Sequence, residues 1–270
     1  MFERGIELKT PDQIDSMRSA GLVVASTLDL LRHHVEPGMT TGALDAIAHD
    51  HIRSQGATSN FLGYHGFTGV ICTSVNDEVV HGIPGSRVLR DGDIISIDCG
   101  AIIDGWHGDA ATTVAVGEVP DEVTQLMRTT EDALWHGIAA AALGGRVSDI
   151  SHAVELAVEA AGDYGIVEGF TGHGIGSAMH QPPDVPNYGK PGRGPKLVKG
   201  LALAVEPMVT LGLPETRTLA DDWTVVTTDG SWAAHHEHTF TLTDTGAWVL
   251  TALDGGAARL AELGVPYGGH

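Results

Sequence analysis

Two Asp-Gly pairs, at 104–105 and 229–230, each separate two runs of strand-forming residues, and they constrain the fold more than any other feature of the chain. The first lies in DIISIDCGAII-DG-WHGDAATTVAV and the second in WTVVTT-DG-SWAAHHEHTFTL. Asp-Gly suits a type I′ turn, in which both central residues need a positive φ, and this turn joins two antiparallel strands. The sequence therefore predicts two β-hairpins, the first of them within a strand-rich region at about 58–116.

A pair of predicted helices precedes each hairpin. Thr10-Pro11-Asp12-Gln13 matches a capping box with proline at the first helical position, and a second helix is predicted over about 41–55, ending at Gly56. Two more helices are predicted over about 120–142 and 148–161. Helix pair, strands and hairpin therefore occur twice, although the residues themselves show no close repeat. This order predicts an α+β fold with two similar halves and no linker between them.

Composition limits the possible functions. The formal net charge of −20 argues against DNA binding, which needs a basic surface. The cysteines, Cys72 and Cys99, are too few for a disulfide scaffold and suit a reducing compartment, although the sequence leaves a single bridge open. MFERGIELKTP lacks an apolar core of signal-peptide length, and GLALAVEPMVTLGL is interrupted by Glu206 and Pro207 and is too short to span a bilayer. We therefore expect a cytoplasmic protein with neither DNA nor membrane as a partner.

Four carboxylates and one histidine lie in strand-like or glycine-rich segments. Apolar neighbours predict burial, and a buried carboxylate must be neutralised, paired or bound to a metal ion. Few Lys or Arg residues lie nearby in the sequence, whereas two divalent cations would balance four negative charges. Imidazole together with carboxylates suits Mn, Fe, Co or Zn better than Ca or Mg. The candidate ligands are Asp98, Asp109, His173, Glu206 and Glu237.

The first predicted hairpin places two of these acids on one face of the sheet. With Asp104-Gly105 as the loop, Asp98 lies opposite Ala111 and is a diagonal neighbour of Asp109. Diagonal neighbours lie roughly 7–8 Å apart at Cα, and their side chains can converge. Two carboxylates at this spacing can bracket a pair of metal ions about 3.5–4 Å apart. A one-residue error in the turn would put them on opposite faces.

Each residue taken alone also has an ordinary explanation. A single Asp in a strand is most often a hydrogen-bonded residue near a turn, and His173 alone could be a satisfied loop histidine. HHEHTF alone could form a solvated edge strand. From the residues themselves, a metal site and a set of unrelated structural roles both stay open.

In these segments the chain resembles the type I methionine aminopeptidases, from about residue 7 to residue 252. The resemblance implies the pita-bread fold, with two pseudo-symmetric halves and a curved, mostly antiparallel sheet flanked by two helix pairs. It further implies a single catalytic domain over 1–270, with about 1–9 and 255–270 as terminal segments. The matching segments are FLGYHGF, VNDEVVHGIP, DGDIISIDCGAIIDGWHGDAATT, GFTGHGIGSAMHQPP, LAVEPMV and WTVVTTDGSWAAHHEHT.

The family implies removal of the initiator methionine from nascent proteins whose second residue is small, by hydrolysis with a hydroxide bridging two metal ions. The five candidate ligands match the family's metal ligands, and Glu206 would also relay a proton. His81 and His180 match two histidines that serve catalysis and substrate binding. Further substrate-binding positions, which would form an apolar pocket for methionine, are Tyr64, Phe67, Cys72, Met179 and Trp223.

The sequence also bears on related functions and on partners. The interval between His180 and Glu206 has no room for the helical insertion of type II enzymes. A proline-specific aminopeptidase or prolidase shares the fold and metal set but usually carries an extra N-terminal domain. A non-catalytic pita-bread binding module would lack several ligands. We expect a monomer that acts on nascent N-termini. Residues 190–199 are rich in Lys and Arg and would suit a transient ribosome contact, or they form a solvated loop within 187–200.

Overall fold

The computed structural model describes residues 5–270, and its main helices form two pairs as predicted. Thr10 caps the first helix, since its side chain accepts a hydrogen bond from the backbone N–H of Gln13 while the Gln13 side chain accepts one from the Thr10 N–H. The helices are α1 (Pro11–His34), α2 (Thr41–Ser54), α3 (Asp121–Ala140), α4 (Val147–Ala161) and the short α5 (Ala257–Glu262).

Short strands fill the intervals between and after the helix pairs. In the first half they are β1 (Thr58–Ser59), β2 (Ile71–Val75), β3 (Glu78–Val80), β4 (Ile94–Ile103) and β5 (Trp106–Ala115). In the second half they are β6 (Gly165–Ile166), β7 (Gly172–Gly174), β8 (Gln181–Val185), β9 (Ala202–Val205), β10 (Met208–Thr210), β11 (Thr216–Thr218), β12 (Val225–Thr227), β13 (Ala233–His235), β14 (Glu237–Leu242) and β15 (Ala247–Val249).

The central sheet has nine strands and joins the two halves where β5 pairs with β14. Its main path runs β1-β4-β5-β14-β9-β7-β8, with β2 added to β4 and β15 added to β14, and the paired strands are antiparallel. Two three-stranded sheets, β13-β10-β6 and β11-β12-β3, lie beside it. The α+β prediction with two similar halves is confirmed.

The first predicted hairpin is confirmed down to its register. β4 and β5 pair from Ile103 with Trp106 to Ile94 with Ala115. Asp104 and Gly105 have φ values of 51° and 79°, as a type I′ turn requires.

The second predicted hairpin is wrong. The strands on either side of Asp229-Gly230, β12 and β13, belong to different three-stranded sheets. The Asp229 carboxylate instead accepts backbone hydrogen bonds from Leu213 at 2.8 Å and Ser231 at 2.9 Å, so it stabilises a turn between sheets. The counterpart of the β4–β5 hairpin is the pairing of β9 with β14, which residues 206–236 separate in sequence.

The two helix pairs cover one face of the central sheet. α1 and α2 pack on the first half, where Ile95, Ile97 and Cys99 of β4 are fully buried with helix residues in one core cluster. α3 and α4 pack likewise on the second half, against Leu203 and Phe240. Because side chains alternate along a strand, Asp98 and Glu237 point to the opposite face.

Among residues 5–270, no helix combines the length and the apolar character that crossing a bilayer requires.

Candidate metal centre

The site is formed by side chains on the face of the central sheet opposite the helix pairs. Asp98 and Glu237 both lie directly opposite Ala111 of β5, one from each side. Asp109 precedes Ala111 by two residues and therefore shares its face. The Asp109 N–H donates to Thr239 Oγ1 at 3.1 Å, and the Thr239 hydroxyl donates to the Asp109 carbonyl at 2.8 Å. These contacts hold carboxylates from both halves on one surface.

The remaining ligand candidates reach the same surface from β7 and the end of β9. Since His238 pairs with Val205, the next position along β9 brings Glu206 beside Glu237. His173 Nε2 lies 3.5 Å from Glu206 Oε1. The Nδ1 atom of His173 lies 2.9 Å from the Gly174 carbonyl, and because a carbonyl only accepts, Nδ1 carries the proton. The unprotonated Nε2 is then free to bind a metal ion.

Ligand atoms of three residues from the three strands β5, β7 and β14 converge. One such atom from each of Asp109, His173 and Glu237 lies within 4.8 Å of the others, and all three residues are buried. Within residues 5–270, Asp98 Oδ1, Asp109 Oδ1 and Glu237 Oε1 are buried without a hydrogen-bond partner. Buried carboxylate oxygens without a donor are costly, and a divalent cation would satisfy them. The donor set therefore fits a metal centre.

Burial and mutual repulsion disfavour ionised carboxylates here when no cation is present. Burial raises the pKa of Asp98 to about 7. Burial first, and then the charges of neighbouring carboxylates, raise the pKa values of Asp109, Glu206 and Glu237 well above the ordinary range. A bound cation reverses this balance because it stabilises the charged form.

A cavity of about 470 Å³ lies over the carboxylates. Its apolar side brings together the five residues predicted as the methionine pocket. Phe67, Cys72 and Met179 are buried in one cluster, with Tyr64 and Trp223 packed against it. The Phe67 and Trp223 rings meet edge to face at 5.0 Å between centroids. An apolar cavity with aromatic and sulfur groups beside a metal centre suits a thioether side chain.

One of the two predicted histidines comes from each half. The His180 Nδ1 atom lies 2.9 Å from the Tyr64 hydroxyl, and the His180 ring meets the His173 ring edge to face at 4.5 Å. His81 packs against Trp223 and has a φ of 60°, which is unusual for a residue with a Cβ and typical of functional sites. Burial, and then the other histidine, lower the pKa of His81 to about 4. Burial, and then His65, lower the pKa of His180, so both rings are neutral at pH 7.

Sequence reasoning missed two lining residues of this cavity and left a third undecided. Phe61 belongs to the segment FLGYHGF and lies in the same buried cluster as Phe67, so the motif itself could have indicated it. Asp222 lines the cavity from a turn with a φ of 64°, which no sequence signal marks. His65, whose role the sequence left open, also lines it.

The other histidines near the motifs divide between the two faces of the sheet. His235 Nε2 lies 4.0 Å from Glu206 Oε2 on the site face. His236 and His238 instead line a separate cavity of about 210 Å³ beside α1 and α3. His235 ends β13, whereas His236 and His238 flank Glu237 at the start of β14, so alternation turns them away from the face that Glu237 occupies.

Known proteins resemble this chain over almost its whole length. The sequence profile of Metallopeptidase family M24 matches residues 15–244. A methionine aminopeptidase from Clostridium acetobutylicum is 50% identical over 247 residues, which cover 91% of this chain and 98% of that protein. Methionine aminopeptidase 1 from Mycobacterium tuberculosis is 50% identical over 254 residues, which cover 92% of this chain and 96% of that protein.

Solved structures agree with the sequence comparison. The crystal structure of methionine aminopeptidase from Thermotoga maritima superposes with a TM-score of 0.90 at 40% identity and covers 92% of this chain and 99% of that one. Prolidase from Pyrococcus furiosus has a TM-score of 0.73 at 18% identity over 90% of this chain and 65% of that one, which shows a shared fold alone. The profile match and the relatives at 50% identity show the family: the chain belongs to metallopeptidase family M24.

Proposed function

We propose that this protein is a methionyl aminopeptidase, which hydrolyses the peptide bond after an N-terminal methionine in a metal-dependent reaction. The observation that carries this proposal is the converging donor set of Asp109, His173 and Glu237 at the base of an apolar cavity with aromatic and sulfur groups. The relatives at 50% identity, which bear the name methionine aminopeptidase, support the same activity.

The donor set would hold two divalent ions, and Mn, Fe, Co and Zn all suit its mixture of imidazole and carboxylates. Asp109 and Glu237 are the central carboxylates, with Asp98 on the first-half side and His173 and Glu206 on the second-half side. When bound, the ions supply Lewis-acid polarisation of the scissile carbonyl and lower the pKa of a water nucleophile. The substrate's free amine would lie beside Asp98.

Glu206 would carry a proton from the nucleophile to the leaving amine. It is largely buried, and two histidines lie against its oxygens, His173 at 3.5 Å and His235 at 4.0 Å. Its position beside the other candidate ligands would put it within reach of a nucleophile bound there.

His180 would stabilise the developing oxyanion. Its ring is neutral, and a tyrosine hydroxyl can donate to an unprotonated imidazole nitrogen. With Tyr64 donating to Nδ1, the ring proton lies on Nε2, which can then donate to the substrate oxygen. His81 would orient the scissile amide from the opposite side of the cavity.

The methionine side chain of the substrate would occupy the apolar side of the cavity, which Phe67, Cys72 and Met179 line. Burial, and then Asp98, raise the pKa of the Cys72 thiol well above its usual value, so the thiol stays neutral and suits an apolar ligand. Substrates with a small second residue are part of the proposal and are tested by a Met-X peptide series.

The substrates would be the N-termini of nascent polypeptides. The enzyme would act as a monomer in the cytoplasm. The site draws on both halves, which supports a single catalytic domain over 1–270 with terminal segments at about 1–9 and 255–270. The basic loop would make a transient ribosome contact through Lys190, Arg193 and Lys196, which are exposed. Lys199 is instead paired with Asp244.

Cleavage of a Met-Ala-Ser peptide tests the proposal. Wild-type protein should release methionine, exhaustive chelation should abolish release, and Mn, Co or Fe should restore it. Metal-loaded protein that leaves the peptide intact would rule the proposal out. An Ala-Pro dipeptide and an Ala-Pro-Ser peptide serve as controls, because a proline-specific enzyme would cleave these in preference.

A further inference from the structure

The segment before α1 is fastened to the loop that carries His180. The Glu7 carboxylate accepts two hydrogen bonds from Ser177, from its N–H at 3.0 Å and from its hydroxyl at 2.7 Å. Lys9 Nζ donates to Gln181 Oε1 at 3.4 Å, and Gln181 Nε2 donates to the Ser177 hydroxyl at 3.2 Å. We call these residues the clasp: Glu7, Lys9, Ser177 and Gln181.

Lys9 is the buried centre of the clasp. Its side chain is 1% exposed, although lysine is almost never fully buried unless it is paired. Its ammonium donates to the Glu7 carbonyl at 3.1 Å and lies 3.7 Å from Glu7 Oε2. The polar partners that offset the cost of burying this charge are thus clasp residues themselves.

The backbone around the clasp is shaped to receive the Lys9 side chain. A Cβ added at Gly176 would lie 2.2 Å from Lys9 Cε and 2.3 Å from Glu7 Oε2, so the space over this glycine is already occupied by the clasp. The Lys9 N–H also donates to the Gly200 carbonyl at 2.8 Å. The main chain of the segment is therefore fixed as well, at a residue outside the loop that carries His180.

The clasp holds both ends of the short stretch that contains Met179 and His180. Ser177 precedes these residues and Gln181 follows them. Met179 is buried in the apolar cavity, whereas His180 is exposed and meets Tyr64 through a single hydrogen bond. A loop side chain keeps a defined position only when its supporting contacts are fixed.

We propose that the clasp is a positioning device that sets His180 for the chemical step and Met179 for binding the methionine side chain. Glu7 and Lys9 act through the loop and touch neither substrate nor metal. The inference rests on the proposed methionyl aminopeptidase activity. It extends the functional site to a segment that the metal centre and the cavity do not include.

The test compares steady-state kinetics on a Met-Ala-Ser peptide for clasp variants of the full chain. Lys9→Met keeps the length of the side chain and removes its charge and donors, and Glu7→Gln weakens the contact with Ser177. Each should lower kcat about 10-fold, since small misplacements of catalytic groups cost up to about 100-fold, and should raise KM. Metal content should stay at the wild-type value. Asp12→Asn, which changes a nearby exposed acid in the first turn of α1, should match wild type.

The same substitutions in a His180→Ala background separate positioning from general stability. With His180 absent, Glu7→Gln should still raise KM through Met179 but should lower kcat no further. Gly176→Ala, which displaces both side chains from the loop side, should reproduce the kinetic pattern if Lys9→Met fails to fold. Unchanged kcat in the clasp variants, or an equal loss in both backgrounds, would overturn the inference. An inactive wild-type enzyme would instead count against the proposed function.

Discussion

The two halves of this molecule supply equivalent parts of one site by different means. In the first half, the tight turn at Asp104-Gly105 sets the register of β4 against β5, so Asp98 and Asp109 share a face through local geometry. In the second half, Glu206 directly follows β9 and Glu237 begins β14, and residues 206–236 separate these two strands. One half uses a turn of two residues and the other uses long-range strand pairing to the same end.

We call the pairing of β5 with β14 the seam, and its contacts show how the second half is held in register with the first. At its centre Glu237 lies opposite Ala111. On one side of this pair the Thr239 hydroxyl bonds both backbone groups of Asp109. On the other side the Thr113 hydroxyl bonds both backbone groups of His235, donating to its carbonyl at 2.8 Å and accepting from its N–H at 2.9 Å. Two threonine hydroxyls, one from each half, thus take the place of hydrogen bonds between the strand backbones. They hold the second half in register with the first.

The largest expected effect tests whether the halves contribute equally to the metal centre. Asp109→Ala and Glu237→Ala should each reduce kcat/KM by at least 10²–10³-fold, roughly the effect of losing one strong electrostatic contact in an active site. Metal analysis should show reduced occupancy in both variants, with folding checked by circular dichroism. Full activity in Asp109→Ala would show that the metal ions do not depend on Asp109.

The two histidines offer the next comparison between the halves. His180→Ala should lower kcat by about 10²–10³-fold because it removes the proposed oxyanion donor. His81→Ala should lower kcat by roughly 10-fold, since it removes an orienting contact only. Metal content should stay near wild type in both. Loss of metal in His180→Ala would instead identify this residue as a ligand.

Substituting the seam threonines tests how the non-local half keeps its register. Thr239→Val and Thr113→Val should each destabilise the protein by about 1–3 kcal/mol, because each leaves two buried backbone groups without a partner. Urea unfolding measures this loss. Only Thr239→Val should also lower activity, since Thr239 supports Asp109 whereas Thr113 supports His235. Equal activity losses in the two variants would contradict this and show that both threonines support the site together.

The last comparison concerns Lys9, which links the start of the first half to a loop of the second and is expected to change stability only at high pH. Burial lowers the pKa of Lys9 from 10.5 to about 8, even though Glu7 opposes the shift. The unfolded chain therefore binds more protons between pH 8 and 10.5, and the free energy of unfolding gains a contribution that rises with pH in this window. Lys9→Met should lack this rise when the two proteins are compared by urea unfolding at pH 7.5 and 10. Parallel curves would contradict it.

Local signals in the sequence predicted much of the fold and some of the site. The capping box at Thr10 and the type I′ turn at Asp104 have local causes, and the structure contains both. The same reasoning failed at Asp229, whose carboxylate satisfies nearby backbone N–H groups and turns the chain from one sheet to another. A dipeptide alone does not distinguish these outcomes, because the pairing of its flanking strands depends on distant partners.

The sequence by itself determined which chemical groups are available: four carboxylates and a histidine in apolar segments, two of the acids already placed on one face by their own hairpin. Tertiary structure alone decided that Glu206, Glu237 and His173 join that face, and that Lys9 reaches Gln181 across the molecule. The physical reason is range. A turn depends on the φ preferences of two adjacent residues, whereas strand pairing and burial depend on how the whole chain packs.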